Sequence, residues 1–350
     1  MSQTKPSTKK RTKKGIKANS KPKWLQKGAS GETIEVIFED NHLLSALLGK
    51  HDEHLALIET QLDIVAAPRG NVIAITGSPE DCESAKQVLD DLYERLNQNL
   101  EVSIGDVEGA IRMALKPATQ GSVDKRMFSS SVRIDTRRRT VTPRSAAQAE
   151  YIQSLQSKEL TFGTGPAGTG KTYIAVAVAA AALEAGKVDR IILSRPAVEA
   201  GERLGFLPGD LREKIDPYLR PLFDALYDMM SSDKVLRGME TGEIEIAPLA
   251  FMRGRTLSNS FIILDEAQNC TAQQMKMFLT RLGEGSYMAI TGDPSQTDLP
   301  KGTPSGLSQA VDLLGNLDAV AHTAFTDTDV VRHSLVAQIV RAYDKLGRTN

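Results

Sequence analysis

Gly165-Pro166-Ala167-Gly168-Thr169-Gly170-Lys171-Thr172 is the stretch that decides the fold of this 350-residue chain. It matches in full the pattern G-x-x-x-x-G-K-[S/T], in which glycines let successive backbone N–H groups turn toward a phosphate. Residues 159–164 before it predict an apolar strand, and the alanine-rich residues 173–185 after it predict a helix. The stretch therefore predicts a nucleotide site in which Lys171 contacts the β- and γ-phosphates and Thr172 binds Mg²⁺.

Two further strand ends carry polar groups of the kind that this chemistry needs. The apolar run 261–265 ends at Asp265 and Glu266, and the run 287–291 leads to Gln296. Because the carboxyl ends of parallel strands meet the ligand at one edge, we expect Asp265 to hold Mg²⁺, and Glu266 to position or deprotonate the attacking water. Gln296 is expected to hydrogen-bond the γ-phosphate or its water. Taken alone, the acids are also compatible with solvated strand-end residues, and residues 292–296 with a plain turn.

The remaining pattern from residue 158 onward alternates strands with helices. This alternation is typical of an α/β domain with a mostly parallel sheet. The other predicted strands are 190–194, 243–247 and 319–325, and a further amphipathic helix is predicted at 272–282.

Composition excludes several classes of protein. The chain is 41% apolar and 25% charged, as in soluble globular proteins. Its longest apolar run, 173–183, is well short of the ~20 residues of a membrane-spanning helix. We therefore expect no membrane partner. Two cysteines cannot build a disulfide framework, which favours a reduced compartment, and we expect the cytoplasm.

Charge is distributed unevenly along the chain. Residues 1–31 hold ten Lys and Arg and no acid, whereas the remainder holds 33 basic and 44 acidic residues. Residues 1–31 are therefore predicted to form a disordered basic tail, which would either contact polyanions or act as a solubilising arm.

Residues 32–100 predict a small α+β module. The pattern indicates strand, helix, helix, strand, strand and helix, and this order resembles a type I KH domain, a binder of single-stranded nucleic acid. The predicted elements are 33–38, 42–48, 53–62, 62–66, 71–76 and a helix that begins after Ser78, with a turn at 68–70. The loop Gly49-Lys50-His51-Asp52 lacks the second glycine of the KH pattern, so RNA binding and protein docking both remain open for this module.

A helix and linker are predicted between the two folded parts. Residues 104–115 predict the helix, the rest of 101–131 is rich in Gly and Ser, and 132–350 form the nucleotide domain. The basic run that follows contains Arg137, Arg138 and Arg139, which either contact nucleic acid or belong to a solvated strand or edge.

The motifs together resemble the PhoH family of bacterial P-loop ATPases, which is similar to the first RecA-like domain of superfamily 1 helicases. The resemblance rests on the phosphate loop, on Asp-Glu-Ala-Gln-Asn at 265–269 and on Thr-Gly-Asp-Pro-Ser-Gln at 291–296. It covers residues 132–350 densely, and a KH-like module also occurs in the family. It implies a RecA-like P-loop NTPase domain of α/β class with ATP and Mg²⁺ as ligands.

The family also suggests roles for single residues. Gln148 matches a glutamine that reads adenine, and Arg195 lies in a segment that contacts single-stranded nucleic acid. Arg255 and Arg332 are candidates for stabilising the γ-phosphate, although either would equally serve as an ion-pair partner. Only 54 residues follow Gln296, too few for a second RecA-like domain, so a neighbouring subunit is expected to complete the site in a homo-oligomer such as a ring.

Two functions follow from the resemblance. The first is an RNA helicase-like or RNA-remodelling ATPase. The alternative is a nucleotide-gated adaptor that docks a partner such as a YbeY-type endoribonuclease without unwinding RNA. A small-molecule kinase is a weaker third option, since the sequence indicates no phosphoacceptor pocket or lid.

Overall fold

The computed structural model describes residues 31–98, 100–115, 132–196, 211–300 and 302–330, and gives only the backbone of residues 211–218. Almost all of the predicted basic tail, the linker beyond residue 115 and the closing segment with Arg332 lie outside these residues. Within the described part of the chain, no helix has the length and apolar character needed to cross a membrane.

The N-terminal module is a three-stranded antiparallel sheet covered by helices. The elements follow one another as the sequence predicts. The bounds are β1 Glu32–Ile37, α1 Asn41–Leu48, α2 Glu53–Leu62, β2 Val65–Arg69, β3 Val72–Gly77, α3 Pro79–Asn97 and α4 Ile104–Leu115. The strands have the spatial order β1-β3-β2.

The long helix α3 illustrates why these residues fold locally as they do. The side chain of Ser78 accepts a hydrogen bond from the backbone N–H of Asp81, and Pro79 occupies the first helical position, where its missing N–H costs nothing. An apolar stripe that includes Val88 and Leu92 is then buried in the core of the module. Capping and apolar period agree, which explains why the prediction succeeded here.

Two predicted boundaries in this module are wrong. The second strand begins at Val65 and not at Leu62, because Leu62 is the buried last residue of α2 and Asp63 ends that helix in a left-handed conformation. Pro68 and Arg69, predicted as part of a turn, pair with β3 inside β2. The turn is therefore shorter and is formed around Gly70.

The second part of the chain is an α/β domain with a sheet of six parallel strands, in agreement with the predicted mostly parallel sheet. A short ribbon precedes it, within the basic run. The bounds are β4 Ile134–Asp135, β5 Thr140–Val141, α5 Ala146–Ser157, β6 Leu160–Thr164, α6 Lys171–Glu184, β7 Arg190–Arg195, α7 Leu211–Met229, α8 Ser232–Thr241, β8 Ile244–Pro248, β9 Ser260–Leu264, α9 Ala272–Leu279, β10 Tyr287–Gly292, α10 Gly306–Leu314 and β11 Val320–Ala324. The strands lie in the order β11-β6-β10-β9-β7-β8, which the sequence did not predict.

Packing fixes the centre of this domain around α6 and β9. All five residues of β9 are buried, and α6 is buried around most of its circumference, as expected of a helix without a polar face. Helix α9 ends at Leu279 and not at the predicted residue 282, because the N–H groups of Arg281 and Leu282 donate to the carbonyls of Phe278 and Leu279, three residues back and not four. The sheet order places the carboxyl ends of β6, β10 and β9 side by side.

Candidate nucleotide site

The phosphate loop connects the end of β6 to the first residue of α6, Lys171. Gly165 has φ 136° and Gly170 has φ 84°, conformations that L side chains rarely adopt. A Cβ atom on Gly165 would lie 2.9 Å from the carbonyl carbon of Phe325, and still closer to its oxygen. The glycine at position 165 is therefore required by both backbone conformation and space.

Lys171 is held over the loop by three oxygens. Its Nζ donates hydrogen bonds to the carbonyls of Gly165 (2.7 Å) and Pro166 (2.8 Å) and to the hydroxyl of Thr169 (3.2 Å). Burial lowers the pKa of this ammonium group, while nearby carboxylates, Asp293 first, raise it. The charge is thus partly desolvated and balanced by carboxylates, which suits it to an incoming anion.

Thr172 and Asp265 meet where the sequence predicts a metal site. Thr172 Oγ1 donates to Asp265 Oδ1 at 2.6 Å, and Thr291 Oγ1 donates to the same carboxylate oxygen at 2.7 Å. Among the residues whose side chains are described, no group of three or more His, Cys, Asp or Glu side chains forms a metal cage. One carboxylate and one hydroxyl beside a phosphate loop fit Mg²⁺, which is usually bound by one or two carboxylates together with phosphate oxygens.

Glu266 is held at both carboxylate oxygens. Its Oε1 lies 3.1 Å from Nη2 of Arg195, and its Oε2 accepts a hydrogen bond from Gln268 at 2.5 Å. The residue adopts a left-handed backbone conformation, φ 53°, which directs the chain away from β9. The structure therefore brings together the two residues that the sequence assigned to water activation and to nucleic-acid contact.

Gln268 is a site residue that sequence reasoning missed. Besides its bond to Glu266, its Oε1 accepts from the backbone N–H of Asp293 (3.0 Å), and its Nε2 lies 3.2 Å from the carbonyl of Gln296. Asp293, also missed, accepts a hydrogen bond from the Gln296 side chain at 2.8 Å. Both lie inside motifs that carried the family resemblance, 265–269 and 291–296, and that was the available signal.

Gln148 connects the chain ahead of α5 to the phosphate loop. Its Oε1 accepts from the backbone N–H of Arg144 (2.7 Å), and its Nε2 donates to the carbonyl of Thr169 (2.9 Å). A cleft of about 740 Å³ opens beside it, lined by the outer side of the loop and by Tyr173. This volume lies within the ~300–1,000 Å³ of small-molecule sites.

The arginines of the basic run have structural partners. Arg138 Nη1 donates to the carbonyl of Tyr227 at 2.7 Å, near the end of α7, and Arg139 lies 3.5 Å from Asp228. The backbone N–H of Arg137 donates to Glu184 at 2.8 Å. Arg138 and Arg139 also line the cleft beside the phosphate loop.

Arg255 forms two parallel hydrogen bonds with Glu245, at 2.5 and 2.7 Å. This contact holds the pKa of the Glu245 carboxyl below its ordinary value. The geometry agrees with the ion-pair alternative for Arg255, and Arg332 lies outside the described residues.

The family model described as "PhoH-like protein" matches residues 140–344, which span the phosphate loop and all six strands of the parallel sheet. The chain belongs to this family. It is 49% identical over 300 residues to the PhoH-like protein of Bacillus subtilis, covering 86% of this chain and 93% of the relative. It is 48% identical over 301 residues to that of Mycobacterium bovis, covering 86% and 85%.

A third PhoH relative is similar over a shorter stretch. Protein PhoH of Escherichia coli K12 is 48% identical over 205 residues, 58% of each chain. Matches of about 300 residues extend well ahead of residue 140, so the similarity to the longer-matching relatives includes part of the N-terminal module. Membership of the PhoH-like family and the parallel sheet together identify a P-loop nucleotide-binding protein.

Proposed function

We propose that this chain binds ATP with Mg²⁺, hydrolyses it, and uses the cycle to act on single-stranded RNA. The observation that carries the proposal is the 2.6 Å contact between Thr172 and Asp265. It joins the second residue of α6, directly after Lys171, to the carboxylate at the end of β9, two strands away from β6 in the sheet. This is the combination by which P-loop proteins hold a metal-bound triphosphate.

Each residue has a role in this reaction. Lys171 exchanges the carbonyls of its own loop for β- and γ-phosphate oxygens, while Thr172 and Asp265 hold Mg²⁺. The bound Mg²⁺ would neutralise negative charge that develops on the phosphates. Glu266 orients the attacking water and accepts its proton, and Gln296 hydrogen-bonds the γ-phosphate or the water.

The ion pair of Arg195 with Glu266 supports a link between RNA and hydrolysis. Arg195 and Gln268 each hold one oxygen of Glu266, and this pairing restricts how the carboxylate can turn toward an attacking water. An RNA phosphate that attracts Arg195 would weaken the 3.1 Å pair and release Glu266. Arg137, Arg138 and Arg139 would extend the basic surface, and Arg332 of a neighbouring subunit would complete the site in a cytoplasmic homo-oligomer.

The second candidate is a nucleotide-gated adaptor for a partner such as a YbeY-type endoribonuclease. The observation that favours it is the cleft beside the phosphate loop, because residues of the N-terminal module form part of its wall. In that case the bound nucleotide would control how the N-terminal module docks its partner, and RNA would not affect ATP turnover.

Steady-state ATP turnover with and without single-stranded RNA tests the proposal. The variant Lys171→Ala removes the phosphate contact, and Lys187→Ala, an exposed lysine just beyond α6, is the matched control for loss of charge. We expect turnover that rises with RNA, falls as salt is added, and disappears only in Lys171→Ala. Turnover indifferent to RNA would refute the RNA part and favour the adaptor, and equal turnover in both variants would refute the assignment of the site.

A further inference from the structure

We propose that helix α4 of the N-terminal module completes the nucleotide site by walling the cleft that receives the nucleoside, and that Asp106 positions Arg144 there. The inference rests on the proposed binding of ATP at the phosphate loop and adds to it the part of the site that holds base and sugar.

The position of the nucleoside follows from which side of the phosphate loop faces Asp265 and which side faces the cleft. Thr172 and Asp265 mark the side where the γ-phosphate and Mg²⁺ belong. The outer side of the loop, with Gly168 and Gly170, faces the cleft together with Tyr173. A triphosphate that ends at Asp265 must therefore leave the loop toward the cleft, and the nucleoside lies there.

The N-terminal module supplies the opposite wall. Arg95, Ser103 and Asp106 line the cleft from α3, from the start of α4 and from α4 itself. Arg95 holds this wall together, since its guanidinium donates to the carbonyl of Glu101 (3.0 Å) and contacts the hydroxyl of Thr142. One cleft thus has walls from both parts of the chain.

Close packing fixes α4 against Arg144. Gly105 and Gly109 lie four residues apart, hence on one face of α4. A Cβ atom on Gly109 would lie 3.1 Å from Cα of Arg144, and one on Gly105 would lie 2.8 Å from its guanidinium. Because neither glycine has a side chain, α4 can lie directly against Arg144, whose backbone N–H donates to Gln148.

Asp106 sits between two arginines. Its Oδ1 lies 3.5 Å from Nη2 of Arg95 and 3.6 Å from Nε of Arg144, and only 9% of its side chain is exposed. Its Oδ2 accepts from the backbone N–H (3.0 Å) and hydroxyl (2.5 Å) of Ser103, which caps the start of α4. Asp106 therefore does two things: it begins the helix and it holds the Arg144 side chain at the cleft, where a planar cation suits stacking on a base.

The test compares ATP with inorganic tripolyphosphate, which occupies the phosphate loop but has no nucleoside. Asp106→Asn retains an oxygen for the Ser103 cap and removes the charge that faces the arginines. Glu108→Gln is the control, since Glu108 is a carboxylate on the same helix α4 that does not line the cleft. Titration calorimetry of the full chain with Mg²⁺ and a non-hydrolysable ATP analogue, and with tripolyphosphate, gives the two affinities.

We expect Asp106→Asn to weaken binding of the analogue by about tenfold or more, as for the loss of one hydrogen bond to a charged group. Its affinity for tripolyphosphate should stay within twofold. Glu108→Gln should change neither affinity. Equal weakening of both ligands, or unchanged affinity for the analogue, would overturn the proposal. Lys171→Ala should lose both ligands, and its failure to do so would refute the nucleotide site itself and not the role of α4.

A measurement on the unmodified chain avoids any folding defect in the variant. Amide hydrogen exchange of residues 104–112 should slow when the ATP analogue binds and remain unchanged with tripolyphosphate. If both ligands slow exchange equally, or neither does, α4 does not contact the nucleoside.

Discussion

Substitution of Gly165 by alanine tests the close approach of the phosphate loop to the end of β11. The amide of Gly165 donates to the carbonyl of Gly292 at 3.1 Å, and Phe325 donates to Thr164 at 2.7 Å, so both sides of the contact are fixed by backbone hydrogen bonds. The Cβ atom of an alanine at position 165 would lie 2.9 Å from the carbonyl carbon of Phe325. Since the clash involves backbone on both sides, a rotamer change cannot relieve it.

The expected cost has two parts. The φ of 136° at Gly165 is unfavourable for alanine by about 1–3 kcal/mol. Overpacking against a fixed neighbour adds about 1–3 kcal/mol. We therefore expect Gly165→Ala to lower the free energy of unfolding by about 2–6 kcal/mol.

Gly186→Ala is the matched control, because Gly186 also has a positive φ, 67°, but no atom lies within 4 Å of the added Cβ. It should cost only about 1–2 kcal/mol of backbone strain. Urea unfolding of both variants, followed by circular dichroism, measures the difference, and titration with tripolyphosphate reports on the loop. A Gly165→Ala variant no less stable than Gly186→Ala would show that the loop does not lie against Phe325 as described.

Three further predictions concern residues outside the loop. Arg255→Ala should lower the free energy of unfolding by no more than about 1 kcal/mol, because the ion pair of Arg255 with Glu245 is about one-third exposed. It should leave ATP turnover unchanged, and a hundredfold loss of turnover would instead assign Arg255 to the γ-phosphate. Cys82 and Cys270 are buried, and burial raises the pKa of Cys270 to about 12, so both thiols should react with a chromogenic disulfide reagent at pH 8 only after unfolding, and rapid labelling of the native chain would contradict this. Partial burial lowers the pKa of His322 below 6.5, so the unfolded chain binds the proton more readily than the folded one, and the free energy of unfolding should fall as pH drops from 6.5 through the lowered pKa. Urea titrations across this range should show the fall in the unmodified chain and not in His322→Gln, and a fall that persists in the variant would contradict the assignment to His322.

Much of the fold could be predicted because several local signals agree. Helix α4 has the predicted bounds, and all six strands of the parallel sheet begin and end within one residue of the prediction, because most of their sequences are apolar runs between turn residues. Errors occur where the backbone decides the boundary, as at the second strand, which was predicted to start at Leu62 although Leu62 is only the buried last residue of α2. The change to hydrogen bonds three residues back, which ends α9 ahead of residue 282, has the same character.

The sequence predicts which residues lie at the strand ends that form the site, but not which of their side chains contact one another. The parallel sheet dictates that Asp265 approaches Thr172 once β9 and β6 are known to be near each other. Sequence does not contain the register of β7 against β9, in which Ser194 is the partner of Leu264. That register alone brings Arg195 beside Glu266, so no motif, however complete, could have predicted the ion pair.

This pairing explains why one chain supports two readings of its function. Arg195 and Gln268 hold the two oxygens of Glu266 and so restrict how its carboxylate can turn toward a water molecule. Under the proposed function, an RNA phosphate that draws Arg195 away would free Glu266 to orient the attacking water, whereas a ligand that contacts only the N-terminal module would act on the nucleotide through the cleft. The RNA-remodelling ATPase and the adaptor therefore differ physically in which of two contacts, at Glu266 or at Arg144, is coupled to nucleotide state.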